Sequence, residues 1–194
     1  MFKARIVIAD SDDSHRKSLK SFLDRAGYAV IYEAKDGLKA LKAIQELTPD
    51  LAIIDTDLKI YSGFYVAKTL AETLQAPVIL ISNSTSQEYI RDAAEVLAFS
   101  YLIKPVGEGN LLASIEVVLS NYQRFVAFKK EIKELQKEIK GRKLIEKAKG
   151  LLMKHQDISE DEAYNKIRRE SMNKHTSMAR IASSLISYYE FMDR

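Results

Sequence analysis

Five residues of this 194-residue chain have the types and positions to do chemistry together: Asp10, Asp12, Asp55, Ser82 and Lys104. Asp10 and Asp12 follow the apolar run Ala4–Ala9, and Asp55 closes Leu51–Ile54. Ser82 closes Val78–Ile81, and Lys104, with Pro105 behind it, closes Tyr101–Ile103. A carboxylate that attacks a phosphoryl donor needs its own charge and that of the incoming group neutralised. Mg²⁺ suits this because it favours oxygen ligands and substrate phosphates. A lysine adds a point cation, and a serine hydroxyl adds a hydrogen bond. Pro105 stops its strand and fixes where the Lys104 ammonium points. Each residue alone has a plainer use, since Asp12 or Asp13 could simply cap the helix that follows. Their joint occurrence behind separate strands is what points to a site.

Such residues meet only if the runs lie side by side. The first 120 residues alternate β-rich runs at Ala4–Ala9, Tyr28–Glu33, Leu51–Ile54, Val78–Ile81 and Tyr101–Ile103 with stretches of helical period. The helical stretches carry Leu19/Phe22/Leu23, Leu38/Leu41/Ile44, Phe64/Ala67/Leu70 and Ile90/Ala94/Leu97. This alternation predicts an α/β fold with a five-stranded, parallel, doubly wound sheet. The unbroken apolar character of the third and fourth runs fits strands buried on both sides. In such sheets ligands bind outside the carboxyl ends of the strands, where the chemically able residues stand.

No proline follows Pro105, and the turn signals stop. Val118, Asn121, Phe125, Phe128, Ile132, Leu135 and Ile139 repeat at alternating spacings of three and four. A long coiled-coil helix over 121–141 is expected, with Phe125, Phe128, Ile132, Leu135 and Ile139 as a homodimer seam. The spacing alone leaves open a helix packed on its own chain. A small three-helix domain is expected over 142–194. Leu144, Ile145, Ala148, Leu151 and Leu152 form one stripe. Ser159 and Glu162 make a capping box, with Ile158 placed to staple onto Ala163. Thr176 is the expected N-cap of the last helix, which carries Met178, Ile181, Leu185 and Tyr188.

Charge divides along the same line. Residues 1–120 hold 13 Lys/Arg against 16 Asp/Glu, and residues 121–194 hold 17 against 11. An acidic front and a basic back imply different partners. The absence of cysteine excludes disulfides and thiolate metal sites. No apolar run approaches the roughly 18 residues of a membrane span, and the N-terminus reads as a strand, not a signal peptide. A cytoplasmic protein with no membrane contact is expected.

Residues 1–120 resemble a bacterial response-regulator receiver domain. Asp55 falls at the phospho-acceptor position, and Gly63, eight residues on, at the turn glycine. Ser82 and the Lys104–Pro105 pair match the phosphoryl-contacting positions, and Tyr101 matches the switch aromatic. The resemblance implies a sensor histidine kinase as partner and Mg²⁺ held by Asp10, Asp12, Asp55 and the Asp57 backbone carbonyl. Two departures stand out. Ser11 occupies the place of a metal-ligating carboxylate in Asp10-Ser11-Asp12, and Leu58-Lys59 replaces the usual Met-Pro. One carboxylate fewer weakens a Mg²⁺ site, because hard cations depend on carboxylate charge.

The segments Ala148–Met153, Ile158–Met172 and Met178–Ile186 resemble the ANTAR domain, a three-helix RNA-binding module of transcription antiterminators. The resemblance implies dimers that hold RNA hairpins competing with a terminator. Lys149, Arg168, Arg169, Lys174, His175 and Arg180 are the candidate RNA contacts, aimed at phosphates and unpaired loop bases. Gly150, in mid-helix, points to close approach of another helix or of RNA backbone. The expected function is a response regulator acting as an RNA-binding antiterminator. It is no enzyme beyond accepting a phosphoryl group on Asp55 and slowly hydrolysing it. Two other readings stand beside it: a DNA-binding regulator, and a degenerate receiver working without phosphorylation as an RNA-binding or interaction protein. The short Asn173-Lys174-His175 joint, and the lack of base-reading side chains after Arg180, weigh against helix-turn-helix docking on DNA.

Overall fold

The computed structural model describes residues 3–96 and 98–192, in two compact units, Met1–Val126 and Ala127–Arg194. In the first unit β1 (Arg5–Ala9), β2 (Ala29–Ala34), β3 (Leu51–Asp55), β4 (Val78–Ser82) and β5 (Ser100–Ile103) alternate with helices. These are α1 (Asp13–Arg25), α2 (Gly37–Leu47), α3 (Gly63–Thr73), α4 (Gln87–Glu95) and the start of α5 (Glu108–Gln156). All strand pairs are parallel, in the order β2-β1-β3-β4-β5. Leu97, grouped with the fourth helix by its spacing, lies outside the described residues.

Strand alternation divides the core between the two sheet faces. Ile6, Ile8, Ile53, Ile79 and Ile81 pack with Leu19 and Leu23 of α1 and Leu111 and Ile115 of α5. On the other face Val7, Ile54 and Leu80 pack with Ile44 of α2, Leu70 of α3 and Ala93 of α4. Every residue of β3 and β4 is buried, as their continuous apolar runs require.

Val118 is not part of a dimer seam: it is buried in this core. Phe125 also turns inward, its ring 5.7 Å from that of Phe99 in an edge-on contact. Tyr122 packs on the same Phe99 and donates its hydroxyl to the Leu74 carbonyl at 2.6 Å. The seam proposed from spacing therefore keeps only Phe128, Ile132, Leu135 and Ile139, each more than half exposed.

The second unit holds the rest of α5 with α6 (Glu160–Asn173) and α7 (Met178–Met192). Helix α5 runs unbroken for 49 residues, so the linker helix and the first helix of the small domain are one element. Ala148 and Leu152, Ala163 and Ile167, and Ile181, Ala182 and Ile186 close the core. The Ser159–Glu162 capping box is present on both sides. The N-cap of α7 is Ser177 and not Thr176, since the Arg180 N–H donates to the Ser177 hydroxyl oxygen at 3.3 Å. Close helix packing occurs at Gly141, where a Cβ would touch the Ala179 Cβ at 3.4 Å, and not at Gly150, which faces open space.

Gly63 begins α3 directly against the backbone that follows β3. A Cβ there would lie 2.2 Å from the carbonyl oxygen of Asp55. Gly63→Ala should therefore cost about 2–3 kcal/mol through forced backbone movement. Gly150→Ala, in an exposed helix interior, should instead gain up to about 1 kcal/mol. Urea unfolding of the two variants checks the contrast.

Candidate functional site

The ends of β1, β3 and β5 bring Asp10, Asp55 and Lys104 together. The Lys104 Nζ donates to Asp55 Oδ2 at 2.7 Å and to Asp10 Oδ2 at 3.0 Å. Asp10 Oδ1 accepts the Asp12 N–H at 2.8 Å, and Asp55 Oδ1 accepts the Asp57 N–H at 3.1 Å. Asp10 is 1% exposed and Asp55 4%, so two nearly dry carboxylates share one lysine. Burial alone would raise the Asp10 pKa, but His15, the Asp12 N–H and Lys104 outweigh it and bring Asp10 down to about 2. Asp55 is raised, chiefly by burial and then by the Asp10 charge, against the pull of Lys104 and the Asp57 N–H. Burial opposes the Lys104 charge, yet its bonds to Asp55 and Asp10 raise its pKa. The pair thus holds one firmly ionised carboxylate and one more basic carboxylate, the better nucleophile of the two.

Hydroxyls line the neighbouring strand end. Ser82, fully buried, accepts from the Thr56 hydroxyl at 2.8 Å and from the Ser84 N–H at 3.1 Å. That leaves its own O–H to donate. The Tyr101 hydroxyl donates to the Ser84 carbonyl at 2.8 Å, tying β5 to the loop after β4. Thr56 was not singled out from sequence, although its place directly after Asp55 was a signal.

In the second unit the candidate basic residues separate into groups. Arg168, Arg169, Lys174, His175 and Arg180 are all exposed. Lys174 and Arg180 line one groove of α6 and α7, and Arg169 lines another. Lys166, missed in the sequence, lines both grooves. His175 forms the turn between the helices, with φ +46°. Lys149 stands apart. It is buried, and its Nζ is held by Glu160 at 2.6 Å and Glu146 at 2.8 Å, so it offers no free charge to a phosphate.

Residues 6–116 match the model of the response regulator receiver domain, and residues 133–186 that of the ANTAR domain. The chain is 30% identical over 182 residues to the transcriptional regulatory protein PdtaR of Mycobacterium tuberculosis, covering 94% of this chain and 89% of that one. The chain is a response regulator with an ANTAR output domain. That pair of domains makes it an RNA-binding antiterminator of the two-component type. The transcriptional regulatory protein HptR of Staphylococcus aureus is 33% identical over 126 residues, 64% of this chain and 47% of that one. A CheY-like receiver domain protein from Methanospirillum hungatei superposes with a TM-score of 0.59 at 25% identity, over 64% of this chain and 98% of that one. Among the described residues no helix is long and apolar enough to cross a membrane.

Receiver domains generally hold Mg²⁺ at this acidic edge, but the donors of this one fit the ion poorly. Asp12, expected as a ligand, is the N-cap of α1, and its Oδ1 accepts the N–H groups of Ser14 at 2.8 Å and His15 at 3.2 Å. Ser11 adds only a neutral hydroxyl to the pocket. Further contacts fix the backbone before Asp12. The buried Arg16 donates from Nη1 to the Asp10 carbonyl at 2.7 Å and pairs with Asp13. His15 Nδ1 lies 2.5 Å from Asp10 Oδ2. Neither His15 nor Arg16 was read as part of the site, because neither residue type nor spacing signals a contact back across a helix N-terminus. Among the described residues no group of three acidic, histidine or cysteine ligands is assembled.

The ion-pair geometry separates two variants. Lys104→Met leaves two buried carboxylates without their cation and should destabilise by about 2–3 kcal/mol, below the 3–5 of a fully enclosed pair because the pocket opens to water. Asp55→Asn removes one of two charges competing for one lysine and should leave stability level or raise it by about 1 kcal/mol. Chemical denaturation at neutral pH distinguishes the two.

Proposed function

We propose that this antiterminator engages hairpin RNA as a homodimer, and that its receiver sets the dimer equilibrium through α5, with Asp55 as the residue where the signal enters. One observation carries this reading. A single helix lends Leu111 and Ile115 to the receiver core and Ala148 and Leu152 to the ANTAR core. Between them it leaves Phe128, Ile132, Leu135 and Ile139 exposed at seam spacing. Two copies joined there present two RNA modules at once, and linkage makes anything that favours the dimer favour RNA.

The input is read as phosphorylation by a sensor histidine kinase. A phosphoryl group on Asp55 would meet the Lys104 ammonium and the free O–H of Ser82. Movement of Ser82 and Ser84 would be felt by Tyr101, whose hydroxyl rests on Ser84. Hydrolysis of the acyl phosphate is the only turnover expected. The RNA surface is read as Arg168 and Arg169 of α6, Lys174 and His175 of the turn, and Arg180 of α7, with Lys166 added and Lys149 left to its structural ion pairs. Unpaired hairpin-loop bases are the natural target of such a surface. The work of the protein belongs in the cytoplasm, where nascent RNA and kinase are both met.

Molar mass by light scattering tests the input. A small phosphodonor should move the wild type toward dimer and leave Asp55→Asn unchanged. A mass indifferent to the donor in both would take the input away from Asp55. For the output, alanine at both Arg168 and Arg169 should weaken hairpin binding and lower its salt slope by about 1 to 2, with duplex DNA as competitor. Unchanged binding by the folded variant would remove both arginines from the interface.

A further inference from the structure

The acidic edge of the receiver is balanced by side chains of the chain itself. All four carboxylate oxygens of Asp10 and Asp55 carry a hydrogen bond, from Asp12 N–H, Lys104, His15 and Asp57 N–H. Two of those donors, Lys104 and His15, converge on the same atom, Asp10 Oδ2, at 3.0 and 2.5 Å. A hard divalent ion arriving there would have to displace them, and it would find Ser11 where a further carboxylate is needed. Asp12 lines the same pocket, but its Oδ1 is held by two N–H groups at the α1 N-terminus, and Arg16 holds the Asp10 carbonyl beside it. His15 is held at the pocket by this one contact, since its other ring nitrogen, Nε2, is buried with no hydrogen-bond partner.

We infer that Ser11 in place of a carboxylate and His15 seated on Asp10 leave this receiver's resting site set without Mg²⁺, so that it binds that ion weakly. Ser11 withholds the charge that would hold the metal, and His15 occupies the oxygen the metal would use. The inference rests on reading the Asp55 edge as the input site, but the two fail separately. A wrong input site shows as a mass indifferent to phosphodonor, whereas a wrong metal assignment shows in binding alone.

The test counts free Mn²⁺ by its electron paramagnetic resonance signal in solutions of the full-length chain, with Mg²⁺ as competitor. The wild type should leave Mn²⁺ free at concentrations that Ser11→Asp captures. Ser11→Asp combined with His15→Ala should bind tighter still, at least about tenfold above wild type, the scale on which groups around a metal site act. His15→Ala alone, which leaves every other donor in place, should tighten binding measurably and serves where Ser11→Asp does not fold. Wild-type binding as tight as that of Ser11→Asp would overturn the inference. So would the absence of binding in every variant, since Ser11 and His15 would then not be what keeps the ion out.

Discussion

Lys104 is the residue on which the receiver unit turns. Asp10 and Asp55 stand at the ends of adjacent strands, β1 and β3, and are nearly buried beside an open pocket, so water screens their charge only in part. Without a cation between them one would have to take up a proton or the edge would have to open. The cation arrives from the end of β5, the last strand and a sheet edge beside β4. The backbone N–H of Lys104 is itself fixed to the Ser82 carbonyl at 2.9 Å. A strong polar contact is thus closed by the least buried strand of the sheet. Tyr101 of the same strand rests its hydroxyl on the Ser84 carbonyl, so β5 and the loop after β4 are both tied to the site. A change of charge at Asp55 would therefore act on the contact that holds this edge strand.

The sheet was legible because its inner strands, β3 and β4, are buried on both faces and its outer runs keep β-rich apolar residues. Such strands read as continuous apolar runs, and each predicted run lies within one residue of an observed strand. The residues behind the runs were legible for the same reason, since parallel topology leaves their side chains no other place to go. What escaped was contact that depends on which surface a side chain finds. Val118 and Phe125 keep seam spacing, yet their partners are the sheet and Phe99. A repeat of three and four tells that a face is apolar but not what covers it. Lys149 looked like a phosphate ligand because it is basic and lies in the motif. Only the fold reveals that Glu160, eleven residues on and at the start of another helix, neutralises it.

The β1–α1 loop shows the same limit at shorter range. Sequence placed Asp12 between two roles, metal ligand and helix cap, and left both open. The geometry assigns it to the cap, because N-terminal N–H groups have no other acceptor within the helix. With one oxygen of Asp12 held there, the serine before it leaves the pocket one carboxylate poorer than the usual receiver pattern. His15 and Arg16 then complete the loop, one against the carboxylate of Asp10 and the other against its carbonyl. The departure from the usual receiver pattern is therefore not one substitution but a small set of contacts that agree with one another.

The inward packing of Val118 and Phe125 bears on the proposed dimer switch. Four apolar positions, from Phe128 to Ile139, span less than two heptads, short of the three to four that sustain a coiled coil unaided. A longer stripe would dimerise whatever the receiver did. A stripe this short leaves the balance within reach of coupling energies of about 1–3 kcal/mol, the scale on which sites in one protein influence each other. The two turns of α5 that carry Val118, Tyr122 and Phe125 are already committed to the receiver core, and Phe128 follows at once. Any shift in how those turns seat on Phe99 changes the footing of the first seam residue. Under the proposed dimer switch, the shortness of the seam is what would let a modest change at Asp55 decide whether two RNA-binding modules meet.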